Sequence, residues 1–470
     1  MTAIVSAVAL TAGMVAQATG GRVVHGRPDR PFAAVSIDSR TLAAGSLFVA
    51  LRGDRFDGHA FIQTAIDRGA AGLMVASMPA TAALGDAAVV LVDDTLDALQ
   101  GLGREVRRRS GAKVVAITGS AGKTTTKEVT ADFLSARYRV FRNKGNFNNH
   151  IGLPLSLIEL RDGPDVAVVE LGMNHEGEIR ELVRLADPDV RVWINVGDAH
   201  IGHFSSREAL ARAKAEILEG AGSTALLVVN ADDPLVMSHI GGWRGRRLLF
   251  GEAAGADIRA RHVSDRGFDG SMADVDTPAG SMRLHVPLAG RAQLSNVLAA
   301  AAVAIDLGVE PQDVVSRAAA LRAVSRRGEV ILLSNGVRLI DDSYNASPAA
   351  VRAMLSALAA TPGAGRRLAV LGEMLELGVS ARALHESCGR AAAEGRVDQL
   401  VVIGGLAADG LVDGAVAAGL PMSRIHRFAD SVTAAGEVPK LVRSGDLVLV
   451  KGSRGTRTDL VVDRLKEAAG

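Results

Sequence analysis

The sequence predicts an α/β protein of three domains. They are a small N-terminal α/β unit over residues 1–90, a central parallel-sheet unit over 91–322 built on a P-loop with a small antiparallel insert, and a C-terminal Rossmann-like α/β unit over 323–470. Three observations predict it. The chain, at 470 residues, is longer than one core ordinarily organises. From about residue 91, short β-branched runs alternate with helix-length segments, the pattern of a parallel sheet covered by helices. "AITGSAGKTTTKE", residues 116–128, sets a glycine turn between one such strand and one such helix.

In chain order, residues 1–21 carry no charged side chain and have a faint signal-peptide character. No Lys or Arg precedes the apolar run, and Thr11, Gln17 and Thr19 interrupt it, so a strand or helix opening the first domain is expected, without membrane insertion. Short elements follow, broken by "DSR", "RGDRFDGHAF" and "GAAGLMV". "KVVAIT", "YRVFR", "VAVVE", "VRVWIN" and "ALLVVN" read as strands of the central sheet, and 251–290 as the antiparallel insert. "VRLID", "RRLAVLG", "QLVVIGG" and "DLVLVKG" read as buried strands of the third domain, interleaved with helices such as "SPAAVRAMLSALAA".

Composition narrows the function classes. Formal net charge is +1 and aromatics are 3%, so neither a basic footprint nor stacking platforms for nucleic acid are present. A single cysteine, Cys388, excludes an internal disulfide and a thiolate metal cluster, and a reducing cytoplasm is expected.

The glycine loop carries the strongest signal. Strand 113–118 leads into Gly-Ser-Ala-Gly and then a helix beginning Lys123-Thr124, although Ile117 stands where the usual spacing has a glycine. Backbone N–H groups at a helix start, added to the helix dipole, attract phosphate. Lys123 can reach β- and γ-phosphates, and the Thr124 hydroxyl can ligate Mg²⁺. Glu170, ending the strand "VAVVE", can hold a metal beside the loop or merely be a solvated strand-end carboxylate. His200 and His203 in "NVGDAHIGHF" can be ligands, bases or ordinary loop histidines. Lys214 in "REALARAKAEILEG" reads, taken alone, as a surface helix lysine. In "DDSYNASPAAV", Ser347 is expected to cap a helix ahead of Pro348, with Asp341, Asp342, Tyr344 and Asn345 at a strand's C-terminal end. Arg326 and Arg327 sit at the second domain junction and suit phosphate recognition.

These stretches, with "NKGNFNNHIGLP", "ELGMNHEGEI", "NADDP", "GRAQLSNVLAA", "RRGE" and "LGEMLELG", occur in the order found in the Mur ligases, which the chain resembles over essentially its whole length. The Thr-Gly start of the loop is typical of that family. The resemblance implies an ATP-dependent amide ligase acting through an acyl phosphate, and "DDSYNASP" resembles the member that joins D-alanyl-D-alanine to UDP-N-acetylmuramoyl-tripeptide. The preceding ligase, which adds the third amino acid, and a folylpolyglutamate-synthase-like ligase are the alternatives within the superfamily. A non-enzymatic nucleotide switch is a further one, although "NKGN" lacks the Asp of a guanine-reading motif.

The resemblance also implies roles. Thr118, Gly119, Ser120, Ala121, Gly122, Lys123, Thr124 and Thr125 would bind ATP, with Asn296 at the adenine and Arg327 and Asp342 closing over the nucleotide from the third domain. Thr124, Glu170, His200 and a carbamylated Lys214 would hold two Mg²⁺ ions, and Lys123, Glu170, His200, Lys214 and Arg327 would form the catalytic set. Ser39, Arg40, Asp57, Gly58 and His59 would hold the UDP end, and Tyr344 and Asn345 the dipeptide. A cytoplasmic monomer is expected.

Overall fold

The computed structural model describes residues 8–53, 56–78, 83–363 and 365–469. The first seven residues of the uncharged N-terminal segment, and Asp54 and Arg55 of "RGDRFDGHAF", lie outside these. Three sheets organise the chain, as the alternation predicts. The first contains β1 (Arg22–His25), β2 (Val35–Ser36), β3 (Leu47–Val49), β4 (Gly72–Val75) and β5 (Ala88–Leu91) in the order β1-β5-β4-β3-β2. Only β1 runs antiparallel to its neighbour. The N-terminal segment supplies the helix Ala12–Thr19, whose Thr11 hydroxyl accepts from the Met14 N–H and caps it. The helix Thr95–Ser110 turns Leu99, Leu102 and Val106 into the same core as Val15, Phe32 and Val90, so the core of the first unit continues past residue 90.

The central sheet has nine strands: β6 (Lys113–Thr118), β7 (Val140–Arg142), β8 (Val166–Glu170), β9 (Val190–Trp193), β10 (Leu226–Asn230), β11 (Arg246–Gly251), β12 (Ile258–Asp265), β13 (Ser271–Thr277) and β14 (Gly280–Val286). Their order is β14-β13-β12-β11-β10-β9-β6-β8-β7. β6 is therefore flanked by β8 and β9, and the three buried strands deliver their following loops to one edge of the sheet. The antiparallel segment expected over 251–290 is not a separate sheet. β12 pairs in parallel with β11, and β13 and β14 continue antiparallel, burying Ala273, Val275, Leu284 and Val286 with Val115 and Phe133 in one core. An apolar strand edge left open there would invite pairing with another chain, and continuing the sheet removes part of that liability.

The third sheet runs β15 (Glu329–Leu332), β16 (Arg338–Asp342), β20 (Leu447–Lys451), β17 (Arg367–Gly372), β18 (Gln399–Ile403) and β19 (Ile425–Phe428), parallel except for the β15–β16 pair. The helix Pro348–Ala360 follows β16 with Pro348 at its first position, but the Ser347 side chain makes no capping hydrogen bond, contrary to expectation. Fixed φ at proline suits that position without help from the cap. Cys388 is fully buried against this helix, its thiol donating to the Pro348 carbonyl at 3.7 Å, and burial pushes it up to about 11. Among the described residues, no helix is long and apolar enough to cross a membrane.

Candidate active site

The loop after β6 is held from beside it as much as from within. The Asn195 side chain, just past β9, accepts from the Ser120 and Ala121 N–H groups at 2.9 and 3.0 Å and donates to the Ala121 carbonyl. That leaves the N–H groups of the helix Lys123–Leu134 to face an anion. Gly122 has φ +85°, and a Cβ on it would stand 2.3 Å from Asn296 Oδ1. At Gly119 a Cβ would meet Ile194 at the same distance. Both glycines are thus fixed by close packing, whereas Ile117, fully buried in the core, has no need to be one.

Glu170 and Thr124 meet as β8 and the helix start predict. The Thr124 hydroxyl donates to one Glu170 oxygen at 2.8 Å, and Asn148 Nδ2 donates to the other at 2.6 Å. The carboxylate is buried, so these donors offset its lost hydration. Lys123 Nζ donates to the Gly119 carbonyl at 2.8 Å. Its ammonium is held below its ordinary range, first by desolvation, with Glu170 opposing and Arg327 adding to the fall. Lys214 is not the surface lysine its helix suggests. It is 1% exposed, and burial together with Lys123 pushes its amine well below the ordinary lysine range. The helix Arg207–Ala215 buries Lys214 along with Leu210, Ala211 and Ala213, which the neighbouring Arg212 and Glu216 conceal in the sequence.

The third domain closes the other side of a cleft of about 700 Å³. Arg327, Asp342, Tyr344 and Asn345 line it together with Ser120–Thr125, Glu170, His200 and Asn296. The Arg327 guanidinium lies 4.0 Å from the centre of the Tyr344 ring. Lys451, at the end of β20, donates to Asp342 at 2.5 Å and to the Asn345 carbonyl at 3.0 Å. Burial nevertheless raises the Asp342 carboxyl, with Lys451 and Arg327 pulling the other way. Asn296 donates to Gln293 and accepts from the Thr126 hydroxyl, edge-on to the loop.

Two loops meet directly across the domain boundary. His200 Nδ1 and Glu376 Oε2 are 2.5 Å apart, and the Gly202 N–H donates to the Glu376 carbonyl at 2.9 Å. His200 and Glu376 both hold left-handed backbone conformations, φ +64° and +63°, which cost a side-chain-bearing residue energy and mark a constrained junction. Asp198, 3% exposed, adds a bridge to Arg207 of its own domain and to Arg352 of the third. Desolvation and Lys123 lower the His200 pKa, against the pull of Glu376.

The N-terminal candidates do not line this cleft. Arg40 is paired with Asp38 at 2.8 Å, and Ser39 is buried. Asp57 caps the turn at Gly58–Phe61 and binds His59 Nδ1 at 2.6 Å, while His59 Nε2 accepts from the Ala76 N–H. Sequence reasoning missed Asn195, Asn148, Glu376 and Lys451. All four stand within quoted stretches, but their partners are distant in sequence.

Family models match three stretches of this framework: "Mur ligase family, catalytic domain" over residues 31–107, "Mur ligase middle domain" over 117–304 and "Mur ligase, glutamate ligase domain" over 326–454. The chain belongs to the Mur ligase family. It is 34% identical over 449 residues to the UDP-N-acetylmuramoyl-tripeptide–D-alanyl-D-alanine ligase of Bacillus subtilis, covering 95% of this chain and 94% of that one. Among solved structures it is similar to MurF from Acinetobacter baumannii, with a TM-score of 0.89, 31% identity, and coverage of 98% of this chain and 100% of that one. MurF ligase from Thermotoga maritima, solved in complex with ADP, gives a TM-score of 0.80 and 31% identity over 93% of this chain and 97% of that one. The three-domain α/β fold predicted from the strand alternation is thus that of the solved MurF structures over nearly the whole chain, and ATP use fits the loop geometry.

Two predictions follow from the packing of this Mur ligase site. Gly122→Ala forces the loop away from Asn296 and is expected to weaken ATP binding at least about tenfold, read by calorimetry, with a fall of a few degrees in thermal unfolding from the strained backbone. A Cβ on Gly202 would lie 2.6 Å from the Gly378 nitrogen. Gly202→Val is therefore expected to hold the two loops apart and lower kcat by up to roughly a hundredfold, with X-ray scattering reporting a more open chain under saturating nucleotide.

Proposed function

We propose that the chain is an ATP-dependent amide ligase that joins D-alanyl-D-alanine to UDP-N-acetylmuramoyl-tripeptide through an acyl phosphate, as a cytoplasmic monomer in peptidoglycan precursor synthesis. One observation carries the reading. The phosphate loop, Glu170, and Arg327, Tyr344 and Asn345 of the third domain open into a single cleft, in a chain matched over nearly its full length by relatives of that name. A terminal carboxylate oxygen of the tripeptide attacks the γ-phosphorus, the bond to the β–γ bridging oxygen breaks, and ADP leaves. The dipeptide nitrogen then adds to the acyl carbon, inorganic phosphate is expelled from the tetrahedral adduct, and the nitrogen sheds its proton.

The first step brings two anions together, and Lys123 and Arg327 supply positive charge where they meet. The helix beginning at Lys123 orients the phosphates, and the third domain screens the acyl phosphate from water. Thr124 and Glu170, hard oxygen donors 2.8 Å apart, would hold one magnesium ion. Magnesium, when bound, neutralises phosphate charge and polarises the γ-phosphoryl group. A second ion beside His200 would take an anionic oxygen from a carbamate on Lys214, whose amine is near enough to His200 to lower its pKa. Lys214 suits that modification: its amine, driven toward the neutral form, can add to carbon dioxide and release a proton. Ser39, Arg40 and the Asp57–His59 turn are assigned to the UDP end, with Arg40 exchanging Asp38 for a phosphate, and Asn296 to the adenine.

The test is phosphate release from ATP with a panel of UDP-peptides and amines. Release is expected to require UDP-tripeptide and D-alanyl-D-alanine together; release with a single free amino acid and none with the dipeptide overturns the assignment. Lys214→Ala is expected to lose turnover and regain part of it with added formate or acetate. A wild-type rate without either removes Lys214 from the mechanism.

A further inference from the structure

We propose that Arg454 recognises the terminal carboxylate of the incoming dipeptide, an inference that rests on the amide-ligase reading above. A dipeptide whose amine attacks the acyl phosphate carries its own carboxylate into the cleft, and this negative charge needs a cation away from the phosphates. The cleft's other cations are committed. Lys123 belongs to the phosphate loop, with its Nζ on the Gly119 carbonyl. Arg327 stands on the phosphate-loop side of the Tyr344 ring, lining with Thr125 and Gln293 a second hollow that Arg454 does not reach. Lys451 is buried and ion-paired with Asp342, and His200 is bound to Glu376.

Arg454 is different. It is exposed on the cleft wall, directly after β20, and pairs with no carboxylate among the described residues. It is nevertheless held in place: its Nη1 donates to the Tyr344 hydroxyl at 3.3 Å, and its guanidinium carbon stands 5.5 Å from the centre of that ring. Tyr344 carries Arg327 as well, at 4.0 Å, so one aromatic ring spaces a phosphate-side cation from an uncommitted one. A planar guanidinium so held offers a two-pronged donor set matched to a carboxylate.

The wall beside it fits the rest of the molecule. Leu375 is 44% exposed in the cleft and packs on Gly455, where a Cβ would lie 2.8 Å from Leu375 Cδ1. The Leu375 N–H donates to Ser453 Oγ at 2.9 Å, tying the leucine to the arginine's own loop. An exposed apolar side chain next to a free guanidinium suits a short peptide with methyl side chains and a free carboxyl end.

The experiment compares D-alanyl-D-alanine with D-alanyl-D-alaninamide in the phosphate-release assay, for wild type, Arg454→Met and Arg454→Lys. Wild type is expected to prefer the carboxylate by roughly ten- to a hundredfold in kcat/KM, the span of a charged hydrogen bond. Arg454→Met is expected to lose that factor on the carboxylate alone, matching wild type on the amide, with KM for ATP and UDP-tripeptide unchanged. Arg454→Lys, which keeps the charge without the fork, is expected between them, and unchanged KM values for the other substrates show that both variants are folded. Equal use of acid and amide by wild type overturns the role of Arg454 alone. So does a loss in Arg454→Met that falls on ATP or UDP-tripeptide, which would place this residue at a phosphate. Absence of release with either dipeptide form in wild type overturns the amide-ligase reading itself, and the assignment of Arg454 with it.

Discussion

Cations gathered at the phosphate loop organise this site, where Lys123, Lys214 and Arg327 converge against the buried carboxylate of Glu170. Burial and Lys123 depress the Lys214 amine, while burial and Arg327 depress Lys123 and Glu170 opposes that fall. Charges of one sign cannot sit together out of water without a compensating partner. A triphosphate would supply such a partner at the loop, as would the carbamate proposed for Lys214. The site therefore rests in a state that binding completes, which is the arrangement expected of an enzyme whose first reactants are both anions.

The fold makes that concentration possible through strand order. Because β6 lies between β8 and β9, the loop, Glu170 and Asn195 arrive together, and Asn195 occupies the N–H groups nearest the strand. The third domain answers with the ends of β16 and β20, where Asp342 and Lys451 neutralise each other. The boundary between the two is crossed by backbone as well as side chains, at Gly202 and Glu376. Strain in His200 and Glu376 is maintained because both are fixed by partners on the opposite domain.

Much of this was legible in the sequence. β-branched runs such as "KVVAIT" and "VAVVE" are buried on both faces in parallel sheets, so their strands read clearly. Ile425–Phe428 did not stand out, because an edge strand carrying His426 and Arg427 has only a weak apolar pattern. The insert's direction was legible but its attachment was not, since pairing of β12 with β11 is a tertiary fact. Residues acting within one motif, such as Lys123 and Thr124, declared themselves by spacing. Lys214, Glu376 and Arg454 did not, because burial, a partner across a domain boundary and the absence of a partner are all invisible in a linear chain.

The lone cysteine has a practical consequence. Cys388 is enclosed, and its thiol is held far toward the protonated form, so the native chain offers maleimide dyes almost no nucleophile. A pair of cysteines placed on the outer faces of the central and third domains would therefore label cleanly against the unmodified background. Fluorescence energy transfer between such dyes could follow the approach of the two domains in real time, one molecule at a time, without first replacing a native side chain.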